Sequence, residues 1–305
     1  MKYSFRFLSK FSLLCMALLL SLATTACEKT SDDQRAVLGT LLLKACWDSN
    51  PGLAELLIKD GADVNTMDEN GMTALMMAAG NPRNDNAHLV NILLLKGADV
   101  HASDKQGRTA LMLAFDKGYL GAVWSLLHKG GDPSNIVNAK GRTPLMEFAE
   151  KWAPNAGHLE PFLQKGVNVN ARDKDGRTAL IIAAESPLDH QAGVGAVNHL
   201  VVRGADINFH DNEGKTALMA AAARGRLEVV KLLLEKNSGV NAKDKDGKTA
   251  LLLALENGRL DVAEALINAG ADVNVGDDSG KTAVAYAEER LSKVKDLLKS
   301  RGATE

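Results

Sequence analysis

Residues 173–180 read DKDGRTAL, residues 244–251 read DKDGKTAL, and residues 104–111 read DKQGRTAL. Either this octapeptide binds something at each occurrence, or it is a joint that the architecture needs repeatedly. Its residue types favour the joint. Asp at the first position and Gly at the fourth suit a type I turn, with the Asp side chain bonded back to the backbone and Gly closing the bend. The Thr that follows suits a helix N-cap, whose hydroxyl accepts from an orphaned N–H of the first turn. Aligned on this residue, the motif recurs at Thr40, Thr73, Thr109, Thr143, Thr178, Thr216, Thr249 and Thr282, spaced by 33, 36, 34, 35, 38, 33 and 33 residues. Eight units of one design fill the chain from about Gly39 onward.

Each unit continues in the same way. A short Ala-rich helix follows the Thr, as at residues 217–223, and its small side chains allow close packing in a chain that is only 4% aromatic. Pro144, directly after Thr143, is allowed at a first helical position. A second helix, such as RLEVVKLLLEK from Arg226, carries apolar residues at helical spacing with charges on its outer face. Gly61, Gly97, Gly130, Gly166, Gly204 and Gly270 stop these helices in the left-handed conformation, and Asn237 takes the same place once. "ADVN" then leads into the next turn. A turn, two short antiparallel helices and a 33-residue period resemble the ankyrin repeat, over about 260 residues.

The resemblance implies an all-α ankyrin-repeat solenoid of about eight helix-turn-helix units joined by β-hairpin-like turns. It also implies a concave face lined by hairpins and inner helices, and protein binding without catalysis. The family's usual His after "TPL" is absent, and Met76, Met112, Met146, Ile181, Met219 and Leu252 stand there. Apolar contact thus replaces a side-chain hydrogen-bond network. The charge-rich second helix of the last unit suits a C-terminal cap.

Residues 1–26 are a different text. Lys2, Arg6 and Lys10 precede an apolar run from Leu13 to Leu20, and small residues follow, which describes a secretory signal peptide. The run is short of the roughly 18 to 20 residues that a spanning helix needs. The exit, LATTAC, resembles the bacterial lipobox, with Thr24 where that motif usually has Leu. Cys27 is accordingly the expected lipidation site, residues 27–38 a polar tether, and residues 39–305 the repeat domain. The expected place is the periplasmic face of a bacterial membrane, or a soluble periplasmic or secreted form if Cys27 is not lipidated. Loss of the three basic residues takes the net charge from −2 to −5, so nucleic acid is not an expected partner. With Cys15 in the leader and Cys27 modified, Cys46 is alone and no disulfide framework is expected.

No catalytic constellation emerges. None of the seven histidines pairs at i,i+4, and H-E-x-x-H, C-x-x-C, P-loop and G-x-S-x-G motifs are missing. No enzyme activity, cofactor or metal is expected, and Cys46 reads as a packed small thiol. Arg108, Arg142, Arg177, Lys215, Lys248 and Lys281 form a column of bases after the turn Gly. They could make a ladder for an acidic partner, but Asp175, Glu213 and Asp246 beside them favour an ordinary turn role.

Departures from the repeat say more about function. Trp124 stands in a second-helix column otherwise held by Glu55, Asn91, Glu160, Asn198, Lys231 and Glu264, and is expected to face solvent. The connections at residues 80–87, 150–157 and 185–195 are lengthened, and the second carries Trp152. The hairpin GGDPSNIVNAKG is one residue longer than its neighbours, and Phe148 fills a position that is Ala elsewhere, as at Ala221. Partner specificity is therefore expected around residues 105 to 215, with exposed Trp as anchor. By resemblance, the hairpin tips Lys105, Gln106, Arg108, Lys174, Asp175, Arg177, Asn212, Glu213 and Lys215 join Trp124 and Trp152 as partner-binding residues. The functional expectation is a monomeric, non-catalytic interaction module of the cell envelope, scaffold or regulator. Its rivals are a secreted effector of host proteins and a dedicated inhibitor of an enzyme or toxin.

Overall fold

The computed structural model describes residues 31–151, 159–186, 190–288, 296 and 298–303. The leader, Cys27 and Trp152 lie outside the described residues. Two compact units divide at Ala110. The first holds α1 (Ser31–Trp47), α2 (Pro51–Lys59), α3 (Ala74–Ala79) and α4 (Ala87–Leu95). α5 (Ala110–Asp116) starts at the boundary. The second unit continues with α6 (Leu120–His128), α7 (Pro144–Lys151), α8 (Glu160–Gln164), α9 (Ala179–Glu185), α10 (His190–Val202), α11 (Ala217–Arg224), α12 (Leu227–Glu235), α13 (Ala250–Glu256), α14 (Leu260–Asn268) and α15 (Ala283–Glu288).

Within each unit the helices form two layers. In the first, α1 packs on α2 and α3, and α4 packs on α2 and α3. In the second, α7, α9, α11, α13 and α15 pack in sequence as an inner layer, while α10, α12 and α14 do so as an outer one. The inner layer is Ala-rich because its helices approach closely. Ala78, Ala183, Ala221 and Ala254 are at most 1% exposed. No strand occurs among the described residues, and the hairpins are marked by isolated antiparallel bridges such as Met67 to Thr73 and His210 to Thr216. The architecture is all-α, as expected.

The turn chemistry follows the octapeptide. Asp173 Oδ1 accepts from the N–H groups of Asp175 and Arg177 at 3.0 and 2.9 Å. Asp211 and Asp244 repeat the arrangement. Thr73, Thr178, Thr216 and Thr249 cap their helices, each hydroxyl accepting from the N–H three residues on. Helix ends reach positive φ at Gly61 and Gly97, and Asn237 matches them at φ 61.

Two expectations fail in the first repeat. Thr40 lies inside α1, where its hydroxyl donates to Ala36 O at 3.0 Å, and so caps nothing. Residues 31–38, expected as tether, are the first turns of that helix. No Asp-x-x-Gly turn precedes Thr40, so nothing stops the helix from running backward. Gly39 within it answers a steric demand, since a Cβ there would lie 2.4 Å from Thr66 Oγ1.

Candidate functional site

The hairpin tips are held by two kinds of bond between neighbouring repeats. Backbone N–H groups of Lys174, Asn212 and Lys245 donate to the carbonyls of Lys140, Asp175 and Glu213 at 2.9 to 3.0 Å. In the first unit Lys105 N–H donates to Asn70 O at 2.9 Å. The Asn of "ADVN" adds a side-chain latch. Asn170 Nδ2 donates to Gly204 O at 3.1 Å, and its Oδ1 accepts from Asp206 N–H at 2.8 Å. Asn65 does the same with Gly97 and Asp99. These latches were missed in the sequence, although the recurring Asn was visible there.

Several predicted partner-binding side chains are spent internally. Asn212 Nδ2 donates to Lys174 O at 3.0 Å, and Arg177 pairs with Asp173 and Asp175 at 3.1 and 2.9 Å. Arg108 pairs at 2.7 Å with Asp104. Burial works to raise the Asp104 carboxyl, but hydrogen bonds from Arg108 and Gln106 outweigh it and hold the group below its ordinary range. Lys248 Nζ lies 2.7 Å from Glu256, and Lys281 Nζ 4.1 Å from the Tyr286 ring centroid. Arg108 and Arg177 are thus compensated within their own turns, and Lys248 by an acid of the helix that follows. Lys105, Gln106, Lys174, Glu213 and Lys215 keep exposed side chains.

The fourth repeat solves its charge differently. Asn138 stands where other turns have Asp, and it accepts from Lys140 and Arg142 N–H like them. Without that carboxylate, Arg142 is buried against Glu147 at 3.1 Å, Glu150 at 2.7 Å and Asp173 at 3.6 Å. Burial pushes the Glu147 carboxyl upward, and the hydrogen bonds and charges of Lys151 and Arg142 more than reverse it. The sequence signal was an acid at position 147 in a column that is apolar at Met77, Ile182 and Leu253.

Trp124 corrects the sequence reading. It is half-buried rather than solvent-facing, with its ring centroid 6.1 Å from Phe148 and 4.1 Å from His128. Phe148 is fully buried and meets Phe162 at 4.9 Å. The aromatic departures thus satisfy one another inside the second unit. Among the described residues α8 spans Glu160–Gln164, and its Phe162 closes this aromatic cluster.

The exposed aromatic lies elsewhere. Trp47, at the end of α1, is 41% exposed, and it is the one aromatic among the large exposed apolar side chains of the described residues. It borders a groove of about 680 Å³ in the first unit, with Leu43, Met72 and Met77 on the floor and Lys44 and Arg108 at the rim. A comparison of columns explains why this groove is apolar. In two repeats of the second unit the base after the turn Gly reaches the acid seven residues beyond the capping Thr, Arg142–Glu150 and Lys248–Glu256, both at 2.7 Å. The first repeat has Gly39 and Trp47 in these columns, and the second has Met72 and Gly80. Neither can make the ion pair, so the same surface becomes apolar. The equivalent inner side of the second unit holds Arg177, Glu185, Asp211, Lys215 and Arg224 around a pocket of about 310 Å³.

Stacked two-helix units, stitched at their turns and presenting a groove beside the inner helices, define a repeat scaffold. Among the described residues no cluster of His, Cys, Asp or Glu is placed to hold a metal ion. The chain belongs to the ankyrin repeat family: the model described as ankyrin repeats (3 copies) matches residues 41–136 and 190–277, more than half of the sequence. No curated protein matches the chain significantly. The unmatched stretch between the two segments contains Asn138, Phe148 and the Arg142 cluster.

Proposed function

We propose that this chain is a non-catalytic protein-binding module of the bacterial cell envelope, a scaffold or regulator that uses the first-unit groove as its main contact. Ankyrin repeats mediate protein–protein interactions in general. The observation that carries the reading here is the Trp47 groove, a large apolar surface bordered by an exposed aromatic. Gln106 and Arg108 adjoin it, while Lys174, Glu213 and Lys215 offer a separate polar surface in the second unit. Trp124, being packed against Phe148, is not among the proposed anchors. The working form is a monomer, and a mildly acidic chain gives no reason to propose nucleic acid.

Tethering through Cys27 is part of the proposal and is supported by the LATTAC exit and the basic, apolar leader. More than one acyl chain on that residue would give stable anchoring. The test is crosslinked capture from envelope fractions with the wild-type full chain, Trp47→Ala and Cys27→Ser. A partner captured by wild type and lost with Trp47→Ala supports binding through the groove. Capture unaffected by Trp47→Ala refutes it. Equal fractionation of wild type and Cys27→Ser refutes the anchor, and release of wild type into the medium points instead to an effector.

A further inference from the structure

We propose that the Trp47 groove takes a peptide segment in which a bulky apolar side chain is flanked by a carboxylate. This inference rests on the protein-binding reading of the groove and names the chemistry of its occupant. The floor of Leu43, Met72 and Met77 offers no charge, and thioethers adapt to apolar side chains of different shapes. Trp47 and Met72 replace the acid and base that pair across the equivalent surface at Arg142–Glu150 and Lys248–Glu256, so an entering apolar group displaces no ion pair.

The rim decides the charge of the ligand. Arg108 keeps a side chain 47% exposed while its partner, Asp104, is fully buried beneath it. Asp104 engages Nε and Nη2, and Nη2 also reaches Gln106 Oε1 at 3.5 Å, which leaves Nη1 as the spare donor. Lys44 is bonded to Asp48 at 2.6 Å, using one of three ammonium donors. The acid at the rim, Asp68, is occupied through Oδ1, which accepts from Asn70 and Met72 N–H at 2.8 Å. Lys44 and Arg108 thus keep spare charged donors beside an apolar floor, and a carboxylate next to a large apolar side chain satisfies both.

The experiment is selection of a phage-displayed library of random dodecapeptides on the full chain, with no selection against any variant. Selected peptides are then synthesised and titrated against wild type, Trp47→Ala, Met72→Arg and Arg108→Gln by fluorescence anisotropy. Circular dichroism confirms that each variant is folded. The proposal expects Leu, Met or Phe with adjacent Asp or Glu. It also expects affinity lost at least roughly ten-fold in Trp47→Ala and Met72→Arg, and several-fold in Arg108→Gln. Peptides that depend on Trp47 but carry no acidic residues, or basic ones, overturn the proposed ligand class and leave the groove as a binding site. Peptides indifferent to Trp47 overturn both.

Discussion

Replacing Phe148 by Ala sets two physical expectations against each other. Every other repeat has Ala in this column, at Ala45, Ala78, Ala114, Ala183, Ala221, Ala254 and Ala287. Substitutions toward a repeat's own consensus commonly stabilise by about 0.5–2 kcal/mol, and Ala is also the better helix former by up to about 0.7 kcal/mol. Against this, Phe148 is fully buried and touches Phe162 at 4.9 Å. Emptying such a site costs about 3–5 kcal/mol, because the removed atoms lose their transfer energy and the cavity closes only partly. The ring pair adds about 0.5–1.5 kcal/mol of that total beyond area burial. The larger effect wins, and Phe148→Ala is expected to destabilise by about 3 kcal/mol after the helix gain. Urea unfolding followed by far-ultraviolet circular dichroism reads this as a lower midpoint with an unchanged slope. A midpoint unchanged or raised would refute the reasoning, and would mean that α7 and α8 close over the missing ring.

Arg142→Ala removes a cation shared by Glu147, Glu150 and Asp173, while Glu147 keeps Lys151 and Asp173 keeps Arg177, and about 1.5–3 kcal/mol of stability is expected to be lost in urea unfolding. Since the folded Glu147 carboxyl sits below its unfolded value, its contribution is complete above the ordinary carboxylate range near about 4 and disappears as pH falls through the depressed value. Midpoints measured across that range should fall less steeply with Glu147→Gln than with wild type, and parallel curves would contradict the assignment. Burial pushes the Cys46 thiol up to about 12, so in the folded Cys27→Ser chain without its leader it should resist a thiol reagent until denaturant is added. Fast labelling of the native form would show that the site opens. Asn170→Ala removes a latch of two hydrogen bonds to the next repeat, and a loss of about 1–2 kcal/mol in thermal or urea unfolding is expected, against none if water substitutes for both.

The turns, caps and glycine stops were legible because each depends on the backbone preferences of one or two residues. The first repeat was misread at Thr40, where the capping residue was recognised without the Asp-x-x-Gly turn that must precede it. Trp124 was misread for a different reason. Its column is polar on average, but the ring that covers it, Phe148, belongs to the following repeat, and a column average carries no information on such a contact. The Trp47 groove was written in the sequence as two missing ion pairs. Recognising them required Arg142–Glu150 and Lys248–Glu256 to show that the two columns face each other. The lengthened connections point toward the middle of the chain, whereas the apolar groove beside Trp47 is lined by residues of the first three repeats.

The turn-to-turn hydrogen bonds of the second unit have a mechanical consequence. Lys140 to Lys174, Asp175 to Asn212, Glu213 to Lys245 and Asp246 to Asp278 are backbone rungs that each join only consecutive turns, with side-chain bonds such as Asn212 Nδ2 to Lys174 O beside them. Tension applied between the ends of this unit would load those rungs in series, like the teeth of a zip, rather than in parallel as across the strands of a sheet. The expected response is a train of small yielding events at low force, each releasing about one repeat's length of chain. Reclosure would be equally gradual, so the unit could lengthen and recoil under strain without losing its register.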